Sequence, residues 1–212
     1  MAFPPTAGNR HVTVFLDAGH GGIDPGAIGT TTAGRTIYEL SLIHILVVGD
    51  PMQETTDIGP LATSAGRDDI EELVADAVAK GAKVLCGGER LPGPGWYYPP
   101  TVITGLTADI RLYSEESFGP LAALFRVENI DEAIELANAT DFGLGASAWT
   151  NDDDERRRFV SDLEAGAVFV NGMVTSYPEL PFGGVKTSGY GRELSAQGIR
   201  AFCNLKTVWV GA

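Results

Sequence analysis

The sequence predicts an α/β fold, with a largely parallel sheet flanked by helices, for the chain from residue 47 onward. Short apolar segments alternate with amphipathic ones along this region, which is typical of α/β layers. Strands are predicted at residues 83–86, 101–103, 120–127, 144–149, 168–171 and 207–210. The alternation with amphipathic helices favours a largely parallel sheet, and residues 87–100 are predicted to form a long turn-rich connection.

Three amphipathic segments predict the helices. One begins near Ser64 or Asp68 and ends at Gly81, with an apolar face of Ile70, Leu73, Val74, Ala77 and Val78. Asn129 is expected to cap a second helix that runs to residue 137. A third helix covers residues 152–163, where an acidic first turn suits the positive end of the helix dipole.

Composition limits the class of protein. The 212 residues carry a formal net charge of −13, which disfavours nucleic acids and anionic membrane surfaces as partners. No apolar run approaches the roughly 20 residues that span a bilayer, and the start of the chain does not resemble a signal peptide. The two cysteines, Cys86 and Cys203, form no metal-binding pattern. We therefore expect reduced thiols and a cytoplasmic location.

The N-terminal region predicts a different chemistry. An apolar strand at residues 12–16 leads directly into the sequence DAGHGG, which exposes His20 between glycines, and Glu39 follows downstream. Residues 14–27 resemble the opening of the zinc-dependent N-acetylmuramoyl-L-alanine amidases. The resemblance implies that His20 and Glu39 bind zinc, and it supports an alternative function as a peptidoglycan amidase fragment. It covers only about residues 10–40, and the family's later zinc histidine and catalytic glutamate have no counterpart here. Residues 1–45 should pack poorly, because one strand and one turn cannot bury a core.

Residues 40–46, LSLIHIL, fit neither the pattern before them nor the pattern after them. No Gly/Ser/Pro linker of the kind that joins domains is present. We interpret this segment as an artificial junction that makes the chain chimeric. The alternative is an apolar strand that docks on the second part of the chain.

A glycine-rich stretch, PFGGVKTSGYGRE at residues 181–193, lies between a predicted strand and a short predicted helix at residues 194–202. Glycine adopts backbone angles that other residues avoid and lets another segment approach closely. The stretch is either a shaped loop that lines a site or a turn without chemistry. Two further stretches stand out, EESFGP at residues 115–120 and NATDFGL at residues 138–144. A carboxylate beside an aromatic ring could hold a polyol such as ribose, or could cap a buried phenylalanine.

These stretches, with VGDP at residues 48–51 and IGPL at residues 58–61, resemble the C-terminal part of the aldehyde dehydrogenase superfamily. The resemblance runs from about residue 47 to residue 211. Within the superfamily, residues 171–184 and the ending KTVW resemble succinate-semialdehyde dehydrogenases. The resemblance implies NAD or NADP as cofactor and an aldehyde, here succinate semialdehyde, as substrate.

The resemblance also implies roles for individual residues. Glu116 corresponds to the family's glutamate that binds the nicotinamide ribose, and Phe118 to the aromatic residue on the nicotinamide side. Ser176 corresponds to a position that binds the substrate carboxylate, and Asn171 supports the wall of the substrate tunnel. It further implies a catalytic-domain fragment at residues 46–200 and, at residues 201–212, an oligomerisation strand that adds to a neighbouring subunit.

The family's nucleophilic cysteine and water-activating glutamate lie upstream of the VGDP stretch. In the family, the thiolate attacks the aldehyde, hydride passes to NAD(P), and water hydrolyses the thioester. Neither Cys86 nor Cys203 corresponds to that nucleophile, and most of the cofactor domain has no counterpart. We therefore predict no catalytic residue in this chain and no activity from it alone. A non-catalytic remnant that keeps the oligomer surface is the other alternative.

Overall fold

The computed structural model of the chain describes residues 46–212 and two short strands before them. These strands, β1 (Gly29–Thr30) and β2 (Thr36–Ile37), pair in an antiparallel manner. The strand predicted at residues 12–16, and the amidase-like positions His20 and Glu39, lie outside the described residues.

Helix α1 (Ser64–Ala79) starts one residue after its cap, Thr63, whose hydroxyl accepts a hydrogen bond from the Gly66 amide at 3.1 Å. Four of the five predicted face positions are buried: Ile70, Leu73, Val74 and Ala77. The prediction for Val78 was wrong, because this side chain is 50% exposed. It follows Ala77 by one residue, and the 100° turn per residue carries it off the buried face.

A three-stranded sheet lies beside α1, in the order β3 (Lys83–Cys86), β4 (Thr101–Thr104) and β5 (Leu121–Leu124). Strands β4 and β5 are parallel, but β3 and β4 are antiparallel, which corrects the expectation of a largely parallel sheet here. The reason is the connection. No helix lies between β3 and β4, and a parallel pair needs a crossover segment to return the chain.

The second half of the chain contains α2 (Ile130–Asn138), β6 (Gly145–Ala148), α3 (Asp153–Asp162) and β7 (Ala167–Val170). Strands β6 and β7 are parallel, as expected when a helix connects them. The predicted cap is confirmed: the Asn129 side-chain oxygen accepts a hydrogen bond from the Glu132 amide at 3.0 Å. Asp152 caps α3 in the same way, and the acidic first turn follows it.

The chain ends with α4 (Ser195–Ala201) and an extended tail. The strand predicted at residues 207–210 is not formed within this chain, because residues 204–212 pair with no described strand. Val208, Trp209 and Val210 are 71%, 89% and 82% exposed. Without a partner edge, a single extended segment has no hydrogen bonds to define a strand. The division into residues 46–200 and an oligomerisation strand at 201–212 stays a prediction.

The buried residues form two separate clusters. The larger joins α1 to the first sheet and includes Ile70, Tyr98 and Ile103, each at most 1% exposed. The smaller consists of Ile134, Ala148 and Phe159, between α2, β6 and α3. Among residues 46–212, no helix combines the length and the apolar composition needed to cross a bilayer.

Candidate active site

A cavity of about 950 Å³ opens between the two sheets. Its lining includes all three residues from 121 to 123 on β5 and all three from 145 to 147 on β6. Its volume lies at the upper end of the range of about 300–1,000 Å³ that is usual for small-molecule sites. The cavity therefore lies between β5 and β6, the facing edge strands of the two strand groups.

Glu116 borders this cavity on the loop that leads into β5. The preceding carboxylate, Glu115, is held by Arg111, whose Nε and Nη2 donate to its two oxygens, each at 2.8 Å. These hydrogen bonds hold the pKa of the Glu115 carboxyl below its usual value. Both carboxylates border the cavity, and Glu115 is bound to Arg111 of a short 3₁₀ helix (Arg111–Tyr113).

Phe118 has a positive φ of 45°, and 74% of its surface is exposed at the cavity. The next residue explains how this conformation is held. A Cβ on Gly119 would lie 2.2 Å from Cδ1 of Ile70 and 3.3 Å from Cδ2 of Leu61, so the chain packs closely on the first core. The close packing of Gly119 fixes the point where the loop ends and leaves the Phe118 ring at the cavity.

The stretch at residues 138–144 forms another part of the cavity lining. Gly143 is hydrogen-bonded to two other segments of the chain. Its carbonyl accepts from the amides of Gly166 at 3.0 Å and Val185 at 2.8 Å. Its own amide donates to the Ser188 hydroxyl at 3.0 Å. Backbone hydrogen bonds therefore join this stretch to the loop before β7 and to the glycine-rich loop.

The glycine-rich loop is a shaped loop and not a free turn. Phe182 and Glu193 exchange both backbone hydrogen bonds, at 2.9 and 2.7 Å, which closes the loop at its base. A Cβ at Gly166 would lie 1.7 Å from the Gly183 carbonyl oxygen, so only glycine fits at that contact. The loop presents Phe182 to the cavity.

The two predicted substrate residues have different positions. Ser176 is exposed and borders the cavity. Asn171 does not border it: the side-chain oxygen accepts from the Thr150 amide at 3.0 Å, and its Nδ2 donates to the Thr150 carbonyl at 2.9 Å. Asn171 thus ties the end of β7 to the end of β6, which supports the wall from behind.

Both cysteines lie away from the cavity lining. Cys86 is half-buried, its thiol donates weakly to the Pro100 carbonyl at 3.8 Å, and burial raises the pKa of the thiol. Cys203 is exposed beyond α4. Within residues 46–212, no group of three or more His, Cys, Asp or Glu side chains could hold a metal ion.

Sequence reasoning missed the polar contacts beneath the cavity. Lys186 contacts Glu164 and the end of α2, and Asn138 contacts the last residue of α3 and the loop after it. The presence of Lys186 within the glycine-rich stretch could have indicated that its ammonium binds a partner elsewhere in the chain. Its partners were not predictable, because they lie far away in sequence and on elements with no motif.

Comparison with known proteins agrees with this geometry. The profile of the aldehyde dehydrogenase family matches residues 41–208, and the chain belongs to this family. The match confirms the resemblance and starts six residues before residue 47, within the segment interpreted as a junction. The amidase alternative receives no support from these comparisons.

The curated relatives include succinate-semialdehyde dehydrogenases [NADP(+)]. The chain is 65% identical over 167 residues to the one from Mycobacterium avium, which covers 79% of this chain and 35% of the relative. It is 64% identical over 166 residues to one from Mycobacterium ulcerans, covering 78% and 36%. The chain thus spans about a third of the length of these relatives.

Solved structures confirm the α/β fold. Succinic semialdehyde dehydrogenase from Streptococcus pyogenes, in complex with NADP+, superposes with a TM-score of 0.77 at 36% identity. That match covers 82% of this chain and 38% of the other. Succinate-semialdehyde dehydrogenase from Burkholderia pseudomallei gives a TM-score of 0.73 at 40% identity, covering 76% and 34%.

Proposed function

We propose that residues 46–212 form the C-terminal part of the catalytic unit of an NADP-dependent succinate-semialdehyde dehydrogenase. The observation that carries this proposal is the shared cavity, which brings together Glu116 and Phe118 from residues 115–120 with Ser176 and Phe182 from residues 171–184. The identity of 64–65% to relatives with that name supports both the substrate and the cofactor.

The residues at the cavity fit the nicotinamide half of such a cofactor. A carboxylate accepts hydrogen bonds from the two ribose hydroxyls, which is the role of Glu116. The exposed ring of Phe118 offers a flat apolar surface to a nicotinamide ring. When bound, NADP+ would accept a hydride from the aldehyde carbon.

On the substrate side, the Ser176 hydroxyl can donate a hydrogen bond to the distal carboxylate of succinate semialdehyde. The Phe182 ring makes that part of the cavity apolar, which favours a defined position for the four-carbon chain. Asn171 acts behind the wall, through its two hydrogen bonds to the Thr150 backbone. These residues bind and orient the aldehyde without forming bonds to it.

The reaction also needs a nucleophile and a base for water, since oxidation of an aldehyde to a carboxylate adds one oxygen from water. The positions of Cys86 and Cys203 away from the cavity support a nucleophile supplied by the remainder of the family fold. This chain alone should therefore not reduce NADP+.

A functional assay tests the proposal. The chain is mixed with a second polypeptide, the part of the Mycobacterium avium relative that precedes the matched region, and NADPH formation from succinate semialdehyde is followed by absorbance. We expect no NADPH from the chain alone and measurable NADPH from the mixture. Glu116→Gln should reduce the rate, while Glu135→Gln, on α2 and away from the cavity, should not. Turnover by the chain alone, or full activity with Glu116→Gln, would contradict the proposal.

Two further features belong to this proposal. The exposed tail with Val208, Trp209 and Val210 supports a homo-oligomer in which residues 201–212 pair with a sheet edge of a second subunit. The two free cysteines support a reducing, cytoplasmic location.

A further inference from the structure

Lys186 joins three segments that are distant in sequence. Its ammonium donates to the Asn138 carbonyl at 2.7 Å and to the Thr140 carbonyl at 3.1 Å, and it pairs with the Glu164 carboxylate at 2.8 Å. The residue as a whole is exposed, but its side chain is only 22% exposed. The side chain thus points inward, against the usual preference of a lysine for water.

Two of these partners lie at the C-terminal end of α2. The last carbonyls of a helix have no partner within the helix, and they carry the negative end of its dipole. The Lys186 ammonium satisfies one such carbonyl, that of Asn138, complements the dipole, and also binds the Thr140 carbonyl just beyond the helix. Lys186 therefore holds the end of α2 and the start of the segment at residues 138–144 in position.

Asn138 completes the network from the other side. The Nδ2 atom donates to the Asp162 carbonyl at 2.7 Å, and its Oδ1 accepts from the Glu164 amide at 2.8 Å. Glu164 therefore contacts both Asn138 and Lys186. Charged and amide groups hold together the helix end, the loop after α3 and the glycine-rich loop. Apolar burial nearby is limited, since the described core cluster of this region consists of Ile134, Ala148 and Phe159.

The backbone of Lys186 has an unusual conformation. Its φ is +53°, in the left-handed region that non-glycine residues rarely adopt. The three other positions with a positive φ in residues 181–193 are glycines: Gly183, Gly189 and Gly191. A strained conformation persists where surrounding contacts hold it, and the three contacts of the Lys186 ammonium are contacts of this kind.

We propose that Lys186 is the positioning residue of the cavity wall at residues 138–144, and that it acts through its ammonium contacts and not through the loop backbone. The inference rests on the proposed function only in taking this cavity as the ligand site. Residues 138, 140 and 142–144 line the same cavity as Glu116 and Phe118, so the position of this wall sets the width of the site.

Hydrogen exchange of the full chain, without ligand, tests the inference. The diagnostic amides are Gly143, Gly166, Val185 and Thr187, each of which donates across this junction. In Lys186→Met they should exchange about tenfold faster than in the wild type, while the amides of α1 keep their wild-type rates. Lys186→Arg should restore protection, since a guanidinium can donate to the same three oxygens.

Two controls separate the ammonium from the backbone and from any general effect of losing a lysine. Lys186→Gly relieves the positive φ but removes the ammonium, and it should behave like Lys186→Met. Lys80 is the matched control: its ammonium pairs with Asp76 at 2.8 Å and donates to the Asp109 carbonyl, and its side chain is 33% exposed. Lys80→Met should leave the four diagnostic amides unchanged.

The inference is overturned if Lys186→Met leaves the four amides protected, if Lys186→Gly is as protected as the wild type, or if α1 loses protection to the same extent. Because no cofactor or substrate is present, this result is independent of the NADPH assay. A failed NADPH assay with the predicted exchange pattern would refute the proposed activity and leave the role of Lys186 in place.

Discussion

The sheet of β3, β4 and β5 and the pair of β6 and β7 each contain parallel strands, but they differ in burial. In the first region, all of residues 101–103 on β4 are at most 2% exposed, and Ile103 belongs to the core that joins this sheet to α1 and Tyr98. In the second region, every residue of β7 is only half-buried. The first region thus contains its own core, whereas the second is held mainly by polar contacts and exposes one side of its sheet to the cavity.

The difference shows how two kinds of contact can position the walls of one cavity. Gly119 fixes the loop carrying Glu116 and Phe118 to the buried region, through its close approach to Ile70. The opposite wall belongs to the region with little core, where Lys186, Asn138 and Glu164 provide the connection. Apolar packing therefore positions one side of the cavity, and a polar network positions the other.

The largest expected effect comes from two matched valines. Val102 on β4 and Val168 on β7 each stand second in a four-residue strand and each pair with an alanine of a parallel neighbour. Val102→Ala should lower the free energy of unfolding by about 2–3 kcal/mol, because Val102 is 2% exposed and its loss leaves a cavity. Val168→Ala should cost less than about 1 kcal/mol, because the half-buried site loses less apolar contact.

Urea denaturation of both variants measures this difference. Equal losses would show that the second region is as tightly packed as the first, and would remove the basis of the comparison.

A smaller effect is expected from two tyrosines. Tyr98 is 1% exposed, and no described residue forms a hydrogen bond with its hydroxyl. Tyr98→Phe should therefore raise the free energy of unfolding by about 1 kcal/mol, since a buried hydroxyl without a partner is destabilising. Tyr177, which is 47% exposed and stacks on Phe169, is the control, and Tyr177→Phe should have no effect.

The same hydroxyl predicts a dependence on alkaline pH. Burial raises the pKa of Tyr98 from 10.0 to about 12. The folded state binds this proton more tightly than the unfolded state does. The stability that comes from this tighter proton binding is fully present below pH 10 and is lost as the pH rises to about 12. Tyr98→Phe should remove this part of the alkaline destabilisation. An identical pH profile for the variant would show that Tyr98 ionises as freely as it does in the unfolded chain.

Much of the fold was predictable from local patterns. The positions of α1, α2, α3 and β3, and the cap at Asn129, follow from periodicity and capping chemistry, which depend on neighbours in sequence. The direction of β3 was not predicted, because strand direction depends on the connection between strands and not on their composition. Val78 was assigned to the buried face because an apolar residue at the edge of a helical stripe gives the same signal as one at its centre.

The candidate site was predictable in its motifs but not in its contacts. Glu116, Phe118 and Ser176 border one cavity, as the resemblance implied, whereas Asn171 contacts Thr150 behind the wall. The network of Lys186, Asn138 and Glu164 joins residues up to 48 positions apart, and no local pattern encodes such a meeting. The roles of these residues in binding stay predictions.

The central claim is that the cavity between β5 and β6 binds the nicotinamide half of a cofactor through Glu116 and Phe118. The most direct test is a titration of the full chain with reduced nicotinamide mononucleotide, followed by backbone amide chemical shifts. The account predicts saturable shifts at residues 116–118 and at the wall at residues 138–144, strongly reduced in Glu116→Gln and retained in Glu135→Gln. Shifts confined to other parts of the chain, or a titration that Glu116→Gln leaves unchanged, would contradict it.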